Sequence, residues 1–174
     1  ADPRSYGSGN PGATNVMRSG NKPAALLTLL GDAAKGWLAV FLVQQFGPVY
    51  GAQPQDAAIA GFAAFFGHLH SIFLNFKGGK GVATAAGVLL ALDPLLGLAV
   101  IGTWLFVALV FRYSSLAAIL AAALAPAYFL LLHGANSQIF VIGIIAMTLI
   151  GKPWQNFQRL LAGQEARIGS KKKS

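Results

Sequence analysis

The chain has 174 residues, of which 55% are hydrophobic and only 10% charged, where an ordinary soluble domain carries about 25% charged residues. This excludes a soluble globular class and gives an integral membrane protein. The formal charge is +8 and there is no cysteine, so disulfides, a thiolate nucleophile, a Cys-based metal site and redox chemistry are all excluded. The positive residues stand at the ends of apolar runs and in the Lys171-Lys172-Lys173 tail, with no separate basic domain. Anionic lipid and a phosphorylated ligand are therefore the expected partners, and nucleic acid is not.

Ala1-Asp2-Pro3-Arg4-Ser5-Tyr6-Gly7 opens the chain on a polar turn without a starting Met, a signal peptide or an apolar anchor, which leads us to expect a fragment whose first helix is missing. Apolar runs at about 24–46, 57–75, 82–92, 95–111, 114–132 and 137–151 predict roughly six transmembrane helices in an all-α fold. Several are shorter than the roughly 20 residues needed to cross a bilayer alone, notably the run from Val82 to Leu92 that Asp93-Pro94 ends. Short or broken helices at membrane depth imply a protein-enclosed or wet cavity, because backbone polar groups need partners there. The expected organisation is one transmembrane domain over 1–174, ending in a basic cytoplasmic tail over 166–174.

Arg4, Arg18, Lys22, Lys77, Lys80, Arg112, Lys152, Arg159, Arg167 and the lysine tail fall in alternate connections, whereas Gln44–Asp56, Asp93–Pro94 and His133–Gln138 hold no Lys or Arg. The positive-inside rule places the first set in the cytoplasm. Lys35 and Asp32 are the exception, an ionisable pair inside the first apolar run and so a functional or helix-packing candidate.

Three polar segments collect on that cytoplasmic side. In Gly7-Ser8-Gly9-Asn10-Pro11-Gly12-Ala13-Thr14-Asn15-Val16-Met17-Arg18, Arg18 suits a bidentate grip on phosphate, with Ser8, Thr14 and Asn15 as hydrogen-bonding partners of a small polar ligand. By composition alone this is a solvated turn with an N-cap by about two to one. In Phe76-Lys77-Gly78-Gly79-Lys80-Gly81-Val82-Ala83-Thr84, glycines let several N–H groups face one concavity and lysines add full positive charge, a phosphate cradle by about two to one over a lipid-anchoring basic turn. It is not a Walker A sequence, because Leu74 stands five before Gly79 and Gly81 follows Lys80. His68 and His70 lie just upstream, and with no third ligand in view they read as hydrogen-bonding groups of the interface and not as metal ligands. The third segment, Asn156-Phe157-Gln158-Arg159-Leu160-Leu161-Ala162-Gly163-Gln164-Glu165, taken singly is an amphipathic cytoplasmic tail with Arg159 paired to Glu165 or to lipid.

Together and in this order, the three segments closely resemble those of the PlsY family, the bacterial glycerol-3-phosphate acyltransferases that use acyl phosphate. The first motif is similar to Gly7 through Asn15 followed by Arg18. The second resembles Gly67-His68 leading into Phe76 through Thr84, and the third Asn156 with Arg159-Leu160, Gly163 and Glu165. Asp32 with Lys35-Gly36, and Arg112-Tyr113 with Ser115, add to a likeness that runs over essentially the whole chain. One departure stands out. Where the family has a histidine three residues before the third-motif asparagine, with an arginine just ahead of it, this chain has Pro153 and Lys152, so that histidine's role is not carried over.

The resemblance implies a seven-helix inner-membrane enzyme, one helix more than the runs counted here, that moves an acyl group from acyl phosphate to the 1-hydroxyl of glycerol 3-phosphate without a cofactor. It also implies the enzyme that supplies acyl phosphate as a partner. Acyl phosphate already carries a good leaving group, so placing two anions and offsetting their charge matters more than activating a nucleophile. In this picture Lys80 and the N–H groups of Gly78, Gly79 and Gly81 bind the acyl-phosphate head, with Lys77 and Thr84 in the same motif. Arg18 and Ser8 hold glycerol 3-phosphate, and Asn156 completes the pocket. Asn10, Thr14, Asn15, His68 and Arg159 are the further substrate-binding candidates. The residues five after His68, His70 and His133 are Phe73, Asn75 and Gln138, so the His-x-x-x-x-Asp dyad of soluble-type and plant-type glycerolipid acyltransferases is absent. A transporter for a phosphorylated metabolite would use similar broken, glycine-rich helices, but no repeat relates the two halves of the chain. A structural subunit would explain the apolar runs and leave the three motifs without a reason.

Overall fold

Gly, Pro, Asp and Asn divide the apolar chain where helices must stop and restart, and most helix boundaries of the computed structural model fall beside such residues. It describes Ser5 and residues 12–17, 19–70, 81–151, 154–165 and 167–168, apart from the side chains of 155 and 156. A short α1, Ala13–Met17, leads through a turn into α2, Lys22–Phe46, which ends in a 3₁₀ turn at Gly47–Tyr50. Then come α3, Pro54–Leu69; α4, Val82–Leu92; α5, Pro94–Val110; α6, Ser114–His133; α7, Gln138–Gly151; and α8, Trp154–Leu161. Among the described residues every element is helical. Two stretches, Lys22–Tyr50 and Ser114–His133, are long and apolar enough to cross a membrane unaided, and α4, α5 and α7 are shorter apolar helices.

The predicted runs coincide with α2 to α7 to within a few residues, except that α3 starts earlier, at Pro54, and ends at Leu69; the remainder of that run, from 71, lies outside the described residues. The starts have local causes. Asn21 Oδ1 accepts from Ala24 N at 3.0 Å ahead of Pro23. Gln53 and Asp56 form a capping box at α3, with Gln53 N donating to Asp56 Oδ2 at 2.7 Å. Asp93 ends α4 and caps α5 in one residue, accepting from Leu95 N at 2.7 Å and Leu96 N at 3.3 Å. Side-chain oxygens thus satisfy the N–H groups that a helix start leaves open.

The α6–α7 connection is a few residues long, which makes those two helices antiparallel neighbours. At one end of the bundle His133 Nε2 meets Asp93 Oδ2 at 2.5 Å, and Gln138 Nε2 donates to the Pro54 carbonyl at 3.1 Å. The opposite end carries α1, the end of α3, the start of α4 and the 112–115 turn. The packed centre lies among α2, α3, α4, α6 and α7, where Val40, Phe65, Leu69 and Val88 are fully buried. The outward faces are apolar as well: Leu131, Leu109, Phe140 and Met147 are 73–85% exposed. A soluble protein seldom presents so continuous an apolar surface, whereas lipid covers it without penalty.

Candidate active site

A cavity of about 340 Å³ opens at the end that carries α1, and its two halves differ in chemistry. Gly12, Thr14 and Asn15 of the first motif, Asp32 of α2, His68 of α3 and Gly81 at the start of α4 line the polar mouth. The body is apolar, bounded by Leu89 of α4, Trp104 of α5, Ala118, Ala121 and Ala125 of α6, and Ile142 and Ile145 of α7.

The space exists because α6 carries alanine where a core helix usually carries leucine. Ala118, Ala121, Ala122 and Ala125 are each buried and line the cavity, and each side chain ends at Cβ where a leucine would reach further. Pro126 lies in the same stretch and removes the helical hydrogen bond to the Ala122 carbonyl, which membrane helices tolerate beside a cavity. Trp104 lines this body with its indole Nε1 buried and without a hydrogen-bond partner among the described residues.

The mouth is held by backbone geometry. Gly81 caps α4 at φ 80°, and a Cβ there would lie 2.5 Å from Phe65 Cε2 and 3.0 Å from Leu69 Cδ2. Both the left-handed backbone and the close approach of α3 therefore require glycine. The first helical bond of α4 runs from Ala85 N to Gly81 O at 2.8 Å. Val82 and Ala83 line the cavity, and their N–H groups precede that bond, so the positive end of α4 is turned to the mouth. Asn15 is 2% exposed on the short α1, which puts an amide side chain against the same opening.

Asp32 and His68 line the mouth, and Lys35 of α2 contacts both. Lys35 Nζ lies 2.7 Å from Asp32 Oδ1 and 2.5 Å from His68 Nδ1. From the sequence only the Asp32–Lys35 pair is visible, because His68 lies 33 positions away from Lys35.

The third motif folds back on the turn between α5 and α6. Glu165 accepts from the hydroxyl of the buried Ser115 and, at 3.4 Å, from its backbone N–H. Arg112, at φ 61°, donates from Nη2 to the Ile168 carbonyl at 2.7 Å and its own carbonyl accepts from Ile168 N at 2.7 Å. Arg167 lies over the Tyr113 ring, 5.8 Å from its centroid. Glu165 thus binds the start of α6, where the sequence expectation paired it with Arg159 or left Arg159 to lipid.

Of the predicted site residues, Thr14, Asn15, His68 and Gly81 come together at the mouth. Thr84 is fully buried, with its Cγ2 toward Gly36 of α2 and its hydroxyl without a partner among the described residues. Arg159 is exposed on α8. Ser8, Asn10, Arg18, Lys77, Gly78, Gly79, Lys80 and the side chain of Asn156 lie outside the described residues, as do Lys152 and Pro153. Sequence reasoning did not single out Trp104, Ser114 or the α6 alanines as cavity residues, since apolar periodicity cannot separate a cavity wall from a core.

The family profile described as Glycerol-3-phosphate acyltransferase matches residues 1–163. The glycerol-3-phosphate acyltransferase of Dechloromonas aromatica (strain RCB) is 66% identical over 174 residues, all of this chain and 86% of that protein. That of Cupriavidus necator is 57% identical over 172 residues, 99% of this chain and 85% of its own. Two crystal structures of PlsY, described as an integral membrane glycerol 3-phosphate acyltransferase, share the fold at 37% identity. The glycerol 3-phosphate form has a TM-score of 0.87 over 97% of this chain and 83% of that one, and the lysophosphatidic acid form 0.83 over 93% and 81%. With the motif order, the membrane-type helices and the likeness over nearly the full length all agreeing, this chain belongs to the glycerol-3-phosphate acyltransferase family.

Proposed function

We propose that the chain transfers a fatty acyl group from acyl phosphate to the 1-hydroxyl of glycerol 3-phosphate, releasing lysophosphatidic acid and inorganic phosphate at the cytoplasmic face of the inner membrane. Family membership supports the acyltransferase activity and its acceptor. The observation that carries the reading of the donor is the two-part cavity, whose mouth is built from the first two motifs and whose body is an apolar slot. An acyl phosphate has the same two parts, an anionic head and a hydrocarbon tail, and burying each methylene of that tail is worth about 0.8 kcal/mol.

In this reading the N-terminus of α4 and the Lys77–Gly81 segment take the phosphate of the donor, with Lys80 opposing its charge. Arg18, Ser8 and Asn156 hold glycerol 3-phosphate, with Asn15 and Thr14 beside them. The acceptor hydroxyl attacks the carbonyl carbon, the carbon–oxygen bond to phosphate breaks, and the hydroxyl proton passes to a phosphate oxygen. No acyl-enzyme forms. The alternation of basic connections supports the cytoplasmic orientation.

The test is purified protein in detergent, given acyl phosphate and glycerol 3-phosphate, with inorganic phosphate as the readout. Phosphate release that depends on the acceptor, with lysophosphatidic acid as co-product, is expected. Absence of release, or a requirement for acyl-CoA, would reject the donor assignment. A covalent acyl group on Ser8 during turnover would reject direct attack.

A further inference from the structure

The apolar body of the cavity has an end. Away from the mouth, the last residues that line it are Leu90 on α4, Val100 on α5, Ala125 on α6 and Ile142 on α7. Beyond them the bundle is packed shut. Leu96 and Phe129 are 0% and 2% exposed, and both belong to one buried cluster with Val100, Ala125 and Ile142, against which Tyr128 and Ile139 also pack. On the α4 side Leu90 backs onto Gly97, where a Cβ would fall 2.6 Å from the Leu90 Cα. Phe129 stands one turn past Ala125 on the same face of α6. Its ring lies 5.0 Å from that of His133, at the polar end of the bundle.

Ser114 at the mouth and Ala125 at the bottom both line the cavity, and the stretch of α6 between them rises about 16 Å. That is close to half of the roughly 30 Å hydrocarbon thickness of a bilayer, the share of one lipid chain. The lower walls are enclosed: Leu89, Ala121, Ala125 and Ile142 are all buried. Water finds no polar partner on such walls, whereas hydrocarbon regains dispersion contacts there. Nearer the mouth the cavity is bordered by the half-exposed Leu29, Leu30 and Leu105, which leaves a competing path for a chain, sideways into lipid.

We propose that Phe129 and Leu96 form the floor of the acyl slot and set the longest chain that a donor can carry into it, with Phe129 as the specificity-determining residue. The proposal rests on the reading of this cavity as the acyl-phosphate site. Every chain shorter than the slot meets the same walls, so the floor acts only on the carbons that reach it. A packed ring and a packed leucine do not yield to an extra methylene without leaving their rotamers. The limit is therefore a steric one, set by side chains at one level of the bundle.

Two readouts test this in detergent. One is phosphate release dependent on glycerol 3-phosphate, with saturated acyl phosphates from octanoyl to eicosanoyl. The other is thermal stabilisation by non-hydrolysable acyl phosphonates of the same lengths. Wild type is expected to keep its kcat/KM up to a limiting length and to lose it beyond. Phe129→Leu lowers the floor and moves the limit to longer chains. Ala125→Leu adds three carbons just above the floor and moves the limit to shorter ones. Relative to octanoyl phosphate, it lowers kcat/KM for the longest donors roughly tenfold further than in wild type, as forcing atoms into packed space does. Comparison at equal chain length cancels the partition of the donor into detergent, and general damage to the fold lowers all lengths alike without moving the limit. A wild-type profile with no fall at any length, or a limit unmoved in both variants, overturns the proposal and sends the tail sideways past Leu105. The phosphonate series on wild type needs neither turnover nor a variant that folds: stabilisation that stops rising at a fixed length supports the floor, and a rise without a break rejects it. A protein that releases no phosphate yet shows that break would refute the proposed reaction and leave the floor standing.

Discussion

Gly87 lies in the middle of α4, buried against α2, and a Cβ placed there would fall 1.9 Å from the carbonyl oxygen of Ala33, 2.8 Å from its carbon and 3.1 Å from its Cα. All three atoms are backbone, so no rotamer change relieves the overlap. To restore ordinary contact near 3.5 Å, α2 must back away by more than roughly 1 Å. In Gly87→Ala the gain in helix propensity is at most about 1 kcal/mol, whereas overpacking costs about 1–3 kcal/mol and more when backbone has to move. The clash wins, and the expected net loss is about 2 kcal/mol. Gly143→Ala is the control, since nothing lies within 4 Å of its Cβ position on α7, and propensity alone predicts a change between zero and about +1 kcal/mol. Thermal unfolding in detergent of both variants reads the difference. Ala33 and Asp32 line the cavity, so displacement of α2 also separates Asp32 and Lys35 from His68. Gly87→Ala should therefore lose kcat/KM beyond its loss of folded protein. A Gly87→Ala protein as stable and active as Gly143→Ala would refute the packing argument.

Asp93 gives a pH test at the other end of the bundle. Burial raises its carboxyl, but the hydrogen bond with His133 and the N–H groups of Leu95 and Leu96 outweigh this and hold it below the ordinary value near 3.8. A depressed folded-state value means that its stabilisation is present above about pH 4 and disappears as pH falls through the folded value. Asp93→Ala should cost about 0.5–2 kcal/mol near neutrality, as helix-cap losses do, and the gap in Tm from wild type should narrow below pH 3.8. Glu165→Ala leaves the hydroxyl of fully buried Ser115 without its partner and should cost about 1–3 kcal/mol. The double variant with Ser115→Ala should recover part of that loss, which a double-mutant cycle by thermal unfolding measures. Ala121→Phe fills the apolar body of the cavity, and excluding roughly four methylenes at about 0.8 kcal/mol each should lower kcat/KM for long-chain acyl phosphates by about two orders of magnitude. Short-chain donors should be much less affected, as a chain-length series of phosphate-release assays would show.

The helices were legible because their signals are local. Asp93-Pro94 ends one helix and caps the next through chemistry contained in a few neighbouring residues, whereas the start of α3 at Pro54 lay ahead of the apolar run and was missed by a few residues. The three-part constellation Asp32–Lys35–His68 was legible by half. A carboxylate and a lysine at i and i+3 are visible on any helix, but the partner 33 positions on depends on how α3 returns along α2. The same holds for Glu165 and Ser115, which are 50 positions apart and meet only because the third motif folds back beneath α6. The cavity body was not legible at all. Ala118, Ala121 and Ala125 have the composition of close helix packing, and only the facing positions of Trp104, Ile142 and Ile145 turn those alanines into a wall.

The central claim is that one cavity holds the phosphate head of the donor at its mouth and the acyl chain in its body. Photolabelling with a non-hydrolysable acyl phosphonate carrying a diazirine near the end of its chain, followed by mass-spectrometric mapping, tests it most directly. Labels on Trp104, Ala121, Ala125 or Ile142, abolished by excess unlabelled acyl phosphate, are the expected result. Labelling confined to outward residues such as Leu109, Leu131 or Phe140, and indifferent to competitor, would place the chain in bulk lipid and contradict the claim.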